Sequence, residues 1–311
     1  MFVPVAPHHS RAILLMVLAS AFIAGTTLLA KLLGGAALGP ALHPLQISHG
    51  RFLFAALAVA AVVGVVRPKL ARPHWRLHAG RTALGWGGVT IMFASVAHIP
   101  LGDATAISFL NPVFAMILSL PLLSERVGPV RWLAACVALL GALILLRPGF
   151  GSFRPEALLA LAAALIFGVE LILIKKLSGR EAPLQILLVN NFLGLCIASV
   201  AVAPVWAMPS PAQWAALAGI GVLMAAAQAC FVNAMARADA SFVTPFSYLT
   251  LVFATLYDGA LLGHWPDWVS ALGAGVILAG AGLLAWRQGR LRHVAEGWAR
   301  PARAQLRFGA L

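Results

Sequence analysis

Runs of about twenty predominantly apolar residues follow one another along almost the whole chain, and a helix of that length is what crosses about 30 Å of hydrocarbon. The runs cover residues 12–34, 44–66, 81–99, 102–123, 130–147, 155–175, 184–206, 212–235, 240–262 and 267–286. The connections are short, which leaves no room for a separate soluble domain. The runs are continuous rather than alternating, so a membrane barrel is excluded. The first run is too long for the apolar core of a signal peptide and nine more follow, so it reads as a retained helix. With 61% hydrophobic and 10% charged residues, the expected fold class is an all-α integral membrane protein of ten transmembrane helices.

A formal charge of +13 raises the question of nucleic acid, but the charges sit in the wrong places for it. Arg67, Lys69, Arg72, Arg76 and Arg81 follow the second run; Lys175, Lys176 and Arg180 follow the sixth; Arg287, Arg290, Arg292, Arg300, Arg303 and Arg307 fall in the tail. With an even number of spans these fall on one side, together with Arg11, Arg126, Arg131 and Arg237, while the opposite loops hold Arg147 and Arg154. That is the positive-inside bias, and it places both termini in the cytoplasm of a bacterial-type inner membrane. The partners it implies are membrane lipid and a small-molecule substrate, not nucleic acid. Cys136, Cys196 and Cys230 lie within apolar runs and read as small buried hydrophobes.

The chain also repeats itself. Pro44-Leu45-Gln46 recurs as Pro183-Leu184-Gln185, Leu110-Asn111-Pro112-Val113-Phe114-Ala115 as Leu249-Thr250-Leu251-Val252-Phe253-Ala254, and Gly141 as Gly280, all at one offset in numbering. Gly25 with Gly168, and Lys31 near Lys175, pair more loosely. Five spans per half is an odd number, so the second half threads the membrane in the opposite sense. The expected units are residues 12–147 and 155–286 as two inverted five-helix repeats, followed by a basic cytoplasmic tail at 287–311.

These features resemble the drug/metabolite transporter superfamily, and within it ten-helix proteins built from two EamA-type repeats. The resemblance rests on Lys31 near the end of span one, Arg51 near the start of span two, Pro112 in span four and the closing Ser124-Glu125-Arg126. It departs after span nine, where a family glutamate is replaced by Gly263-His264-Trp265-Pro266. The stretch Tyr248 to Pro266 is most similar to amino-acid exporters of the YddG type. The resemblance implies a central cavity formed by spans one, three, four, six, eight and nine.

Polar groups inside hydrocarbon are costly, so each needs a reason. Arg51 lies about 10 Å inside Pro44 at 1.5 Å per residue. It is either a carboxylate-binding cation or a gating and packing arginine, and its replacement by Asn190 in the repeat favours the second. Glu170 either snorkels towards Lys175 or faces a substrate amine or a proton. Asp258 near the end of span nine poses the same choice. His49, His98 and His264 are candidate pH-sensing groups by residue type, and a satisfied helix-end histidine is the simpler reading of each.

Asn111 and Thr250, at repeat-equivalent midplane positions, are candidate substrate groups together with Glu170 and Gln228. Pro112 and Pro245 would disturb their helices and free backbone carbonyls. Asn190, Asn191 and Asn233 add polar groups that interhelical hydrogen bonding also explains. Trp86, Phe93 and Tyr248 are candidate cavity aromatics, beside Phe109 and Phe246. Gly85 and Gly221, which correspond between halves, suit bending or close packing, and Arg51 and His49 join them as gating or structural residues.

No metal-ligand spacing, nucleotide loop or catalytic set emerges, so neither a cofactor nor enzymatic chemistry is expected. The reading is a secondary transporter that acts as a monomer and moves small metabolites, foremost amino acids outward, by alternating access. A carrier of another metabolite or drug-like compound is the alternative, and a membrane-embedded lipid enzyme is a more distant one.

Overall fold

The computed structural model describes residues 9–283, apart from 36, 69, 124–127, 147–153, 179–180, 236, 238–243 and 281. The chain runs as α1 (His9–Gly34), α2 (Pro44–Val66), α3 (Trp75–Val96), α4 (Leu101–Ser108), α5 (Asn111–Leu123), α6 (Pro129–Leu146), α7 (Ala157–Ser178), α8 (Pro183–Val202), α9 (Pro211–Met235), α10 (Leu249–Leu262) and α11 (Trp268–Gly280). Tight 3-10 turns at Ala203–Val205 and Thr244–Tyr248 lead out of α8 and into α10. Leu57, Val65, Leu133, Leu140, Phe192 and Val200 point outward. Such an apolar exterior suits lipid and not water. Cys136 and Cys196 are exposed on it, which corrects the expectation that they are buried. A weakly polar thiol loses little by facing hydrocarbon.

Local signals set several helix ends. Proline stands at the first position of both α2 and α8, where its missing N–H costs nothing. His43 caps α2 by accepting from the Leu45 N–H at 3.2 Å. Gly263 closes α10 with φ +72°, a left-handed conformation that glycine adopts without a Cβ clash.

Three elements differ from their apolar runs. Helix α3 starts six residues early, because Trp75 to Gly80 reads as polar yet is held by partners from distant loops. The fourth run is interrupted, and the described part of the ninth opens with a 3-10 turn before its α-helix. In the fourth, Pro112 has no N–H to give the Ser108 carbonyl four residues back, and the helix breaks between Ser108 and Asn111. The Asn111 amide supplies the missing donor, bonding Ser108 O at 2.8 Å. In the ninth, the 3-10 turn ends at Tyr248 and α10 begins at Leu249, the repeat-equivalent of Leu110. The freed Phe246 carbonyl there accepts from Ser20 Oγ at 3.2 Å.

The halves exchange their partners. Helix α1 packs most extensively on α9, and its counterpart α7 on α3; α1 also meets α10, as α7 meets α5. Contacts between loops show the inversion directly. Gln46 at the start of α2 brackets Ala207 in the α8–α9 loop, its Oε1 accepting the Ala207 N–H at 3.2 Å and its Nε2 donating to the Ala207 carbonyl at 2.5 Å. Gln185 at the start of α8 accepts the Ala71 N–H of the α2–α3 loop at 2.7 Å. Equivalent glutamines therefore clamp opposite ends of the bundle. The two last helices of the halves cross backbone to backbone. A Cβ at Gly141 would lie 2.6 Å from Ile277 N, and one at Gly280 would lie 2.5 Å from Ala138 N.

Candidate functional site

Arg51 and Arg81 enter the bundle from opposite ends, about 10 Å and 9 Å inside the starts of α2 and α3 at 1.5 Å per residue. Beside Arg81 is Glu170 of α7, whose Oε1 stands 3.5 Å from Arg81 Nε. Arg51 is close enough to feel both charges. Arg81 Nη1 reaches Ile186 O at 3.5 Å, and the next residue, Thr82, donates to Asn190 Oδ1 at 3.2 Å. Two guanidinium groups and one carboxylate share a mostly buried space, since Arg51 is 5% exposed, Arg81 7% and the Glu170 side chain 15%. A separation of 3.5 Å gives attraction without a good hydrogen bond, so desolvation is only partly offset.

Gly85 allows the cluster to form. A Cβ there would sit 2.9 Å from Glu170 Oε1, so glycine leaves the carboxylate its place. Its counterpart Gly221 admits α2 instead, with Phe54 Cβ 2.4 Å from where a Cβ would be. Trp86 Nε1 and Gln228 Oε1 are buried with no hydrogen-bond partner among the described residues.

The other expected residues fall into distinct settings. Phe109 and Tyr248, repeat-equivalent residues, meet edge to face with centroids 5.2 Å apart. The α4–α5 break and the 3-10 turn before α10 therefore meet through these two rings. Thr250 is buried one residue into α10, while the Asn111 side chain is engaged at its own break. Phe93 lies in the main apolar core. His49 packs on Trp206, centroids 5.7 Å apart, in an aromatic group that continues through Trp214 to Phe54. Pro245 lies in the 3-10 turn before α10. The Ser124-Glu125-Arg126 motif and the basic tail lie outside the described residues.

Both ends of the bundle are stapled. At the end holding the α1–α2 loop, Lys31 Nζ meets Asp258 Oδ1 at 2.7 Å, and Asp258 Oδ2 accepts the Leu101 N–H at 2.6 Å. Asp258 thus pairs a cation of the first half and caps the N-terminus of α4. A cavity of about 270 Å³ lies at this end, bounded by Pro100, Asp103, Arg154, Trp265 and Asp267, well away from the arginine cluster.

At the opposite end Glu181 accepts from the His74 N–H at 2.7 Å and from Gln185 Nε2 at 2.7 Å, and lies 2.9 Å from both His74 Nδ1 and His78 Nε2. Burial alone would raise its carboxyl, but the hydrogen bonds from His78, His74 and Gln185 prevail and hold it down to about 2.

Two of these residues were not evident from the chain. Arg81 counts in sequence as a loop cation beside Arg76, but it is buried within α3. Its position about one and a half helical turns from Trp86 on one continuous helix was the available signal. Glu181 stands apart in sequence from any motif, and the i, i+4 spacing to Gln185 is its only local mark.

A profile of the EamA-like transporter family matches residues 10–147 and again residues 154–286. The chain is 34% identical to a riboflavin transporter of Rhizobium johnstonii, over 66% of this chain and 68% of that protein. It is 27% identical to an S-adenosylmethionine uptake transporter of Rickettsia prowazekii, over 78% of this chain and 82% of the relative. A pseudopaline exporter of Pseudomonas aeruginosa is also 27% identical, over 60% of this chain and 66% of its own. A crystal structure that is 22% identical superposes with a TM-score of 0.62, covering 91% of this chain and 99% of the other, and so shares the fold.

Proposed function

The chain belongs to the EamA-like transporter family, and from that premise we propose a secondary carrier of small metabolites working by alternating access in a bacterial-type inner membrane. The observation that carries this reading is the meeting of Phe109, at the α4–α5 break, with its repeat-equivalent Tyr248, at the end of the 3-10 turn that leads into α10. Irregular helix segments at the interface of two inverted halves are where such carriers hold cargo. Each half can take the shape of the other, so the break and the turn supply a hinge to both arrangements. The basic loops put both termini in the cytoplasm, which makes the Lys31–Asp258 end the outer one.

The cargo class is a small polar or amphipathic metabolite. Amino acids moved outward are one member of that class. Relatives named for riboflavin, S-adenosylmethionine and pseudopaline favour the wider class, and they differ among themselves in direction. Asn111, Thr250, Gln228, Trp86 and Tyr248 line the proposed path, and Gly85 and Gly221 let its helices approach and bend. One protomer contains all of these groups and works as a monomer.

The test is uptake by proteoliposomes across labelled amino acids, riboflavin and S-adenosylmethionine. Saturable uptake of at least one compound supports the carrier. Linear, unsaturable flux of every compound that crosses points to a channel, and conversion of lipid by the purified protein revives an enzyme.

A further inference from the structure

We propose that Arg51 is the binding group for an anion on the cargo, a carboxylate in particular, and that one such group binds per protein. The proposal rests on the carrier reading above and narrows its substrate class. It starts from a contrast among the buried polar groups. Lys31 has Asp258, and Gln46 and Gln185 each hold two partners; Arg81 has Glu170 beside it at 3.5 Å and reaches the Ile186 carbonyl through Nη1, although its Nε makes no hydrogen bond among the described residues. Arg51 is 5% exposed, yet its Nε and Nη1 bond nothing among the described residues. Its contact is the face of its own neighbour Phe52, 4.4 Å from the guanidinium carbon. A ring face supports a cation but accepts none of its N–H bonds. An arginine kept for packing alone is expected to be saturated, because unmade hydrogen bonds to a buried charge are expensive.

Charge points the same way. Arg51, Arg81 and Glu170 together carry one surplus positive charge in a mostly buried space. One monoanion brings the cluster to neutrality. The planar fork of a guanidinium matches two carboxylate oxygens side by side, which makes a carboxylate the best fit. The repeat explains why there is one site and not two. Asn190 stands where Arg51 does in the other half, carries no charge, and already accepts from Thr82. Trp86, one residue from the Gly85 that seats Glu170, has an unpartnered indole N–H and an aromatic face to offer the rest of the cargo. The site therefore suits a carboxylate on an apolar or aromatic body.

The probes are L-phenylalanine, 3-phenylpropanoate and phenethylamine, titrated by tryptophan fluorescence against the purified full chain at pH 7. 3-Phenylpropanoate, a monoanion, should bind most tightly, L-phenylalanine, whose ammonium offsets its carboxylate, more weakly, and the amine not at all. Arg51→Gln should weaken both carboxylates by about ten- to a hundredfold, the loss of a charge-assisted pair of hydrogen bonds. Arg51→Lys keeps the charge without the fork and should fall between. Without ligand, Arg51→Gln should melt at or above the wild-type temperature, since it removes an unpaired buried charge.

Unchanged carboxylate affinity in both variants overturns the proposal, as does wild-type binding of phenethylamine equal to that of the acids. A sharply lowered melting temperature in Arg51→Gln with the affinities unchanged assigns Arg51 to structure. If the wild type transports some compound but binds neither acid, the anion site fails and the carrier stands. If it transports nothing, the carrier reading fails.

Discussion

Replacing Asp258 should damage this protein more than replacing its partner Lys31, although the two form one pair. Their side chains are 1% and 11% exposed, and Nζ and Oδ1 lie 2.7 Å apart. Asp258→Asn keeps the shape but leaves the Lys31 ammonium without its anion, and removing one partner of a buried pair costs about 3–5 kcal/mol. It also removes negative charge from the N-terminus of α4, where Asp258 accepts the Leu101 N–H; that adds about 0.3–1 kcal/mol. In Lys31→Met the carboxylate keeps the Leu101 N–H and lies 3.5 Å from His264 Nδ1, so part of its stabilisation survives. The double variant Lys31→Met/Asp258→Leu should recover most of the loss, because well-packed apolar side chains replace a buried pair at little cost. Thermal unfolding followed by tryptophan fluorescence, with a double-mutant cycle from reversible unfolding in mixed micelles, measures all four proteins. The cycle should give a coupling of about 2 kcal/mol or more. Single variants within about 0.5 kcal/mol of wild type would refute the reasoning, since the pair would then behave like an exposed one.

Other consequences follow from the same contacts. Glu181 has its carboxyl held at about 2 in the folded chain, below an unfolded value near 4.3. A lowered carboxyl contributes stability that is complete above about pH 4.3 and is lost as pH falls through about 2. Melting temperature should therefore decline across that window in the wild type, and Glu181→Gln should start lower and lose that slope. Gly141→Ala places a Cβ 2.6 Å from the Ile277 backbone nitrogen and should cost about 1–3 kcal/mol, read as a lowered midpoint. Asn111→Ala strips the Ser108 carbonyl of its donor and should cost about 1 kcal/mol or more by the same assay.

The spans were legible because hydrocarbon thickness imposes a length and an apolar composition that few other folds share. The repeat was legible too, since Pro-Leu-Gln and the Asn111/Thr250 segment keep one offset, and the structure puts both glutamines in equivalent clamps. Pro112 announced the break in the fourth span, whereas the Asn111 bond that stabilises it is local chemistry that residue type alone leaves open. The start of α3 was hidden because Trp75 to Gly80 is polar, and its partner Glu181 lies more than a hundred residues away. Glu170 showed the same limit. Lys175 is its obvious neighbour in sequence, while the contact that forms is with Arg81 across the α3–α7 interface. Local pattern predicts elements; which charges meet depends on how those elements are threaded.

A carrier that exposes one site to each side in turn is recognised by trans-stimulation. Proteoliposomes loaded with an unlabelled transported compound should take up the labelled form faster than empty ones. The exchange should saturate with outside concentration. Uptake that is indifferent to the trans compound and rises linearly with concentration would contradict alternating access.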